Sequence, residues 1–204
     1  MGWYGERILP RLLDIGGRHA SALPLRARAC AGLSGDVLEI GFGSGRNIGS
    51  YPAAVARVAA VEPSDLAWEL SQDRRAGAPM PIERSGLDAQ LLLHEDDSFD
   101  ACLSTWTLCS IPDVQLALRE VRRVLRPGAT LWFVEHGLAP DDPVVRWQHR
   151  LEPLQHRLFG GCHLTRPIDQ LVRDAGFEMV TLDRFYMDAS PRFLGATYLG
   201  SARA

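Results

Sequence analysis

Residues 36–40, 55–61, 98–105 and 130–135 form short apolar or β-branched runs, each bounded by Gly, Pro, Asp or Ser. None alternates strictly with polar residues, so they read as strands buried on both faces of a parallel sheet. Between them the period becomes helical. Over residues 113–126, Val114, Leu118, Val121 and Leu125 share one apolar face while Arg119, Arg122 and Arg123 lie away from it. Pro112-Asp113 starts this helix and Arg126-Pro127-Gly128 ends it. Further helices are predicted over residues 143–159 and from an N-cap at Thr165 to near Gly176; residues 178–186 and 195–201 read as two more strands. This alternation predicts an open, doubly wound α/β sheet with helices on both faces and the last two strands as an antiparallel pair at one edge. Residues 1–35, helical in period, can lie over the ligand edge as a lid. No internal repeat or low-complexity segment interrupts the pattern.

A chain of 204 residues, 46% hydrophobic, fits one domain over 1–204, burying roughly 70% of the surface that it exposes when unfolded. A formal net charge of −3 with scattered arginines leaves no basic stripe, which argues against nucleic acid as a partner. Glu6, Arg7, Arg11 and Asp14 break up the apolar N-terminal stretch, so neither a signal peptide nor a membrane anchor is expected and the cytoplasm is the expected location. Cys30, Cys102, Cys109 and Cys162 form no CxxC pair and read as reduced thiols, with Cys102 packed inside a strand.

The chemistry begins where the first strand ends, in "VLEIGFGSGRN". Ligands of open α/β sheets bind beyond the carboxyl ends of the strands, where strand order reverses. Gly41, Gly43 and Gly45 allow a tight turn and close backbone approach there, leading into a helix start that favours an anion. The pyrophosphate fingerprint G-x-G-x-x-G is not met, because the third glycine comes one position early and Arg46 fills its place. Glu62, at the end of the next strand in "AAVEPS", can accept from both ribose hydroxyls, which suits NAD and S-adenosylmethionine alike.

The pattern E-x-G-x-G-x-G after a strand resembles the nucleoside-binding signature of class I S-adenosylmethionine-dependent methyltransferases, whose sheet is Rossmann-like, seven-stranded and mostly parallel. "LDAQLLLHEDDSFD" resembles their adenine-side segment. "SFDACLSTWTLCSIPD", "LREVRRVLRPGATLWFVEHG" and "FGGCHLTR" resemble the membrane-associated thiol S-methyltransferases of animals (the methyltransferase-like protein seven group) and their bacterial relatives, over residues 36–173. The hydrophobic anchor of the animal proteins has no counterpart in these residues.

By this resemblance S-adenosyl-L-methionine is the cofactor and S-adenosyl-L-homocysteine the product. Glu39 would hold the methionyl amino group, Asp88 the adenine amino group, the amide of Ala89 a ring nitrogen, and Leu87 would pack on the base. Thr105 and Trp106 would touch the cofactor, Asn47 and Pro63 join its site, and Tyr4 belongs to a lid closing over it.

On the acceptor side, four of six histidines, His136, His149, His156 and His163, lie between the fifth strand and the last helix. His136, ending that strand, is the first candidate to take a proton from the acceptor; the alternative is that it orients Glu135 or a loop. Cys109, His163 and Arg166 are candidate acceptor contacts, and residues 136–164 an insertion capping an apolar pocket. No metal site is expected, since His149, His156, Cys162 and His163 lack usual zinc spacing. The expected reaction is methylation of a small apolar acceptor, a thiol first; O- or C-methylation of a phenol or quinol, and an idle cofactor-binding regulator, stay open. The oligomeric state is not legible.

Overall fold

Side chains alternate along each strand, and the sheet meets a different helix layer on each side. In the computed structural model, which describes residues 3–17, 19–188 and 190–204, the chain runs α1 (Trp3–Arg7), α2 (Leu9–Gly16), α3 (Ala22–Cys30), β1 (Gly35–Ile40), β2 (Val55–Val61), α4 (Asp65–Leu70), α5 (Gln72–Ala76), β3 (Ile82–Gly86), β4 (Phe99–Thr105), α6 (Val114–Val124), β5 (Leu125–His136), α7 (Asp142–Leu158), α8 (Ile168–Asp174), β6 (Glu178–Tyr186), α9 (Arg192–Gly195) and β7 (Ala196–Arg203). Met1, Gly2 and Arg18 of the expected lid lie outside the described residues.

The seven strands form one sheet in the order β3-β2-β1-β4-β5-β7-β6. Neighbours from β3 to β5 are parallel, while β7 runs antiparallel to both β5 and β6. Val37, Ala101, Leu103 and Val134 meet Leu25, Ala29 and Cys30 of α3 on one face. Leu38, Ile40, Cys102 and Phe133 meet Leu118 and Val121 of α6 and Ile168 of α8 on the other. Cys102 is fully buried, as a packing residue should be. The order reverses between β1 and β4, which puts the ligand crevice at their carboxyl ends.

Four local features depart from the sequence pattern. β3 carries no signal because it is an edge strand in which Ile82 is the one large apolar residue and no residue is fully buried. β5 begins at Leu125, directly after α6, because Leu125 already pairs with Phe99 and Gly128 turns at φ +81°. Thr165 does not cap α8; Pro167 holds that position, and the Thr165 hydroxyl donates to Glu152 instead. No α-helix follows the glycine loop: Tyr51, held extended before Pro52, limits the segment to a single 3-10 turn at Ile48–Ser50. Asp113 caps α6 as expected, its carboxylate accepting from the Leu116 amide at 2.9 Å. Among the described residues no helix is long and apolar enough to cross a membrane.

Candidate active site

A cavity of about 810 Å³ lies between the carboxyl ends of the strands and helices α1 to α3, within the size range of small-molecule sites. Gly41, Gly43, Glu62, Pro63, Leu87, Asp88, Ala89, Thr105, Trp106 and His136 all line it. These residues come from the ends of β1 to β5, so the parallel register brings them together. Gly41 has φ +70°, and a Cβ there would lie 1.9 Å from the Thr107 hydroxyl oxygen, so no other residue fits. Gly43, at φ +58°, has nothing closer than 3.9 Å to such a Cβ and leaves the wall open to a ligand.

Glu62 is 6% exposed and accepts from the Gly43 amide at 2.6 Å and the Ser64 amide at 2.8 Å. Each carboxylate oxygen keeps a second lone pair for a hydroxyl. Burial pushes the Glu62 carboxyl above its ordinary value, opposed by those two amides and by Arg84. Asp88 accepts from the Gln90 amide at 2.9 Å, and Leu87 is 60% exposed at the cavity mouth, free to cover a planar group.

Glu39, Gly45 and Asn47 lie off the cavity wall. Glu39 and Asn47 belong to a buried network beneath it: Asn47 donates to Glu39 at 2.8 Å and to Thr105 at 3.0 Å, Tyr51 donates to Glu39, and Arg26 donates to Asn47 at 2.7 Å. Burial raises the Glu39 carboxyl to about 7 despite the hydrogen bonds from Tyr51 and Asn47 and the charge of Arg26. Arg26, on α3, carries no motif that the sequence could show, yet it is 8% exposed and lines the cavity. Its guanidinium lies 4.7 Å from the centre of the Trp106 ring, and Trp106 holds a left-handed φ of +51°, unusual for so large a side chain. Among the described residues the buried Arg26 Nε and Trp106 Nε1 have no hydrogen-bond partner, at a cost of about 1–3 kcal/mol per orphaned group. Arg26 and Trp106 both line the cavity; a cation, the remaining Glu62 lone pairs and the close approach left open at Gly43 together fit an amino-acid nucleoside such as S-adenosylmethionine.

The N-terminal helices are tied to the glycine loop through Asp14 of α2. Asp14 accepts from Arg46 Nε at 2.9 Å and Nη2 at 2.6 Å, and Arg74 lies 3.2 Å away. Arg46, which spoils the dinucleotide fingerprint, is therefore half of an inter-element ion pair. Tyr4 lies off the cavity wall, its hydroxyl donating to the Leu158 carbonyl at 3.1 Å, while its neighbour Gly5 lines the cavity.

On the acceptor side, Ser110, Phe159 and Gly160 join His136 on the wall. Cys109, His163 and Arg166 stand off it. His163 pairs with Glu152 at 2.8 Å, and Arg166 donates to the Leu108 carbonyl. His149 and His156 are exposed, as are Trp147 and Leu154, so α7 reaches the cavity only through the loop at its C-terminal end. Buried Gln148 anchors that helix by donating to the Gly137 carbonyl at 3.0 Å and accepting from the Ala139 amide at 2.9 Å. Cys109 and Cys162 lie with their sulfurs 3.5 Å apart. Their shared hydrogen bond, with help from His136, holds Cys162 below the usual thiol range and pushes Cys109 up. Glu135, fully buried, accepts from the Ser104 hydroxyl at 2.7 Å and the Thr107 amide at 3.0 Å, fixing the turn that carries Trp106 and Cys109.

A family profile described as "Methyltransferase domain" matches residues 38–133. Thiol S-methyltransferase TMT1A of Homo sapiens is 35% identical over 162 residues, 74% of this chain and 64% of its own length. This chain belongs to the class I methyltransferases. Thiol S-methyltransferase TMT1B of Homo sapiens is 33% identical over 165 residues, 77% of this chain and 66% of its own; the matched stretch thus spans a little under two thirds of either relative. This methyltransferase chain also superposes, at a TM-score of 0.65 and 20% identity, on an S-adenosylmethionine-dependent methyltransferase from Mesorhizobium loti, covering 92% of this chain and 99% of the other.

Proposed function

We propose that this chain transfers a methyl group from S-adenosylmethionine to the sulfur of a small, apolar thiol. The observation that carries the reading is that His136 lines the same cavity as Glu62 and Asp88; the identity to thiol S-methyltransferases supports sulfur as the acceptor atom. When bound, the cofactor supplies a sulfonium methyl and leaves as S-adenosylhomocysteine. Glu62 takes the ribose hydroxyls, Asp88 the adenine amino group, and the positive charge of Arg26, which lines the cavity against the Trp106 ring, attracts the methionyl carboxylate. Glu39 and Asn47 act beneath the wall by positioning Thr105 and Arg26, and α1 and α2, docked over the cavity beside the core helix α3, form the lid that excludes water. His136 promotes loss of the thiol proton, which passes to solvent: as it leaves, the sulfur lone pair forms the new S–C bond, and the pair of the broken C–S bond stays on the departing sulfur.

The test is incubation of purified protein with S-adenosylmethionine and either a small alkyl thiol or a quinol, followed by mass spectrometry. Methyl thioether with S-adenosylhomocysteine is the expected result. Product from the quinol alone would move the reaction to oxygen or carbon, and turnover with neither would overturn this reading.

A further inference from the structure

Three metal-binding side chains from separate segments meet beside the cavity. Cys109 comes from the turn after β4, His136 from the end of β5, and Cys162 from the loop after α7; their ligand atoms all lie within 4.8 Å of one another. The cysteines are 1% and 5% exposed, while His136 is half-buried and lines the cavity. We propose that Cys109, His136 and Cys162 bind one thiophilic cation, Zn²⁺ by the chemistry of the donor set, and that its fourth position takes the acceptor thiol as thiolate.

Two thiolates and an imidazole select a soft or borderline ion over magnesium or calcium. Three protein ligands with one further position is the coordination of catalytic zinc. Thiolates about 2.3 Å from a tetrahedral ion stand roughly 3.8 Å apart, so the 3.5 Å sulfur separation requires only a slight opening. The positioning is built into the fold. Gly160 and Gly161 turn at φ +63° and +86°, and a Cβ on Gly161 would press within 3.3 Å of the Ser110 carbonyl. That approach lets the His163 amide donate to the Cys109 carbonyl at 2.8 Å, fastening the Cys162 loop onto the Cys109 turn. The Cys109 amide donates in turn to Glu135 at 3.4 Å, a carboxylate supporting the first ligand. Two thiolates neutralise a divalent ion, and the acceptor thiolate in the fourth position then adds one negative charge beside the neighbouring Arg166.

The thiol half of the proposal rests on the function proposed above. Coordination breaks the acceptor's S–H bond and releases its proton to solvent; the metal-held sulfur keeps a lone pair for the sulfonium methyl. His136 then manages the acceptor proton by holding the ion.

The experiment uses the full chain, purified with reductant, stripped with a chelator and reloaded with Zn²⁺ or Co²⁺. Expected are about one ion retained per chain, thiolate-to-cobalt charge-transfer absorption with the visible bands of tetrahedral cobalt, and recovery of thiol methylation on reloading. Cys109→Ser, Cys162→Ser and His136→Ala should each weaken zinc binding by about 100-fold or more, while Cys30→Ala should not; circular dichroism establishes that each is folded. A reduced, folded chain that retains no ion and shows no charge-transfer absorption overturns the site, as does a Cys109–Cys162 disulfide in protein isolated without reductant. Equal methylation by metal-free and zinc-loaded chains overturns the thiol half. Cobalt spectra without any methyl thioether would sink the proposed reaction and leave the metal site standing.

Discussion

Glu62 and Glu39 are both buried carboxylates at strand ends, yet they predict different behaviour. Glu62 faces the cavity, so Glu62→Ala should lose about 1.5–3 kcal/mol of cofactor affinity per ribose hydrogen bond, roughly ten- to a hundredfold in Kd. Calorimetry on a folded variant checks this, and unchanged affinity would remove Glu62 from the ribose. Glu39 has no cavity exposure, and its carboxyl is raised from 4.5 to about 7. Between these values the folded chain holds a proton that the unfolded chain releases. Stability from this group is therefore lost as pH rises through that window, and the deficit is complete only about one unit above the folded value. Glu39→Gln removes the deficit: urea unfolding should show the variant gaining on the parent, by up to about 3 kcal/mol, between about pH 5 and about pH 8. A difference that does not change with pH would show that Glu39 is ionised throughout.

At the scale of elements, the packing surfaces were legible and the fastenings were not. Val114, Leu118 and Val121 announce the buried face of α6 by spacing alone, and each is buried. The ion pair between Asp14 of α2 and Arg46 of the glycine loop joins positions that share no periodic pattern, so only the docked structure shows what Arg46 does. Asp14→Ala should release α2 from the loop, leaving Arg46 and Arg74 without this shared partner, at about 1.5–3 kcal/mol per charged hydrogen bond lost. Hydrogen exchange over residues 3–17 should then quicken while β1 and β4 stay protected, and cofactor should dissociate faster. Unchanged protection of α2 would mean that its apolar contacts alone hold it.

Across the whole molecule, sequence determined the parts whose cause is local. Buried parallel strands need continuous apolar runs, tight turns at a ligand edge need glycine, and a carboxylate ending the second strand suits a ribose; hence the doubly wound sheet and the edge that carries its cavity were readable from β1, β2, β4 and β5. β3 was not, because an edge strand is not compelled to be apolar. Tertiary structure alone decided what depends on distant segments meeting: that Glu39 and Asn47 lie beneath the cavity wall, that Arg26 on α3 reaches it, and that Cys109, His136 and Cys162 converge. Local sequence pattern records the burial of each residue along its own element. It does not record which element comes to rest against it, because the free energy of those contacts exists only once the chain has closed on itself.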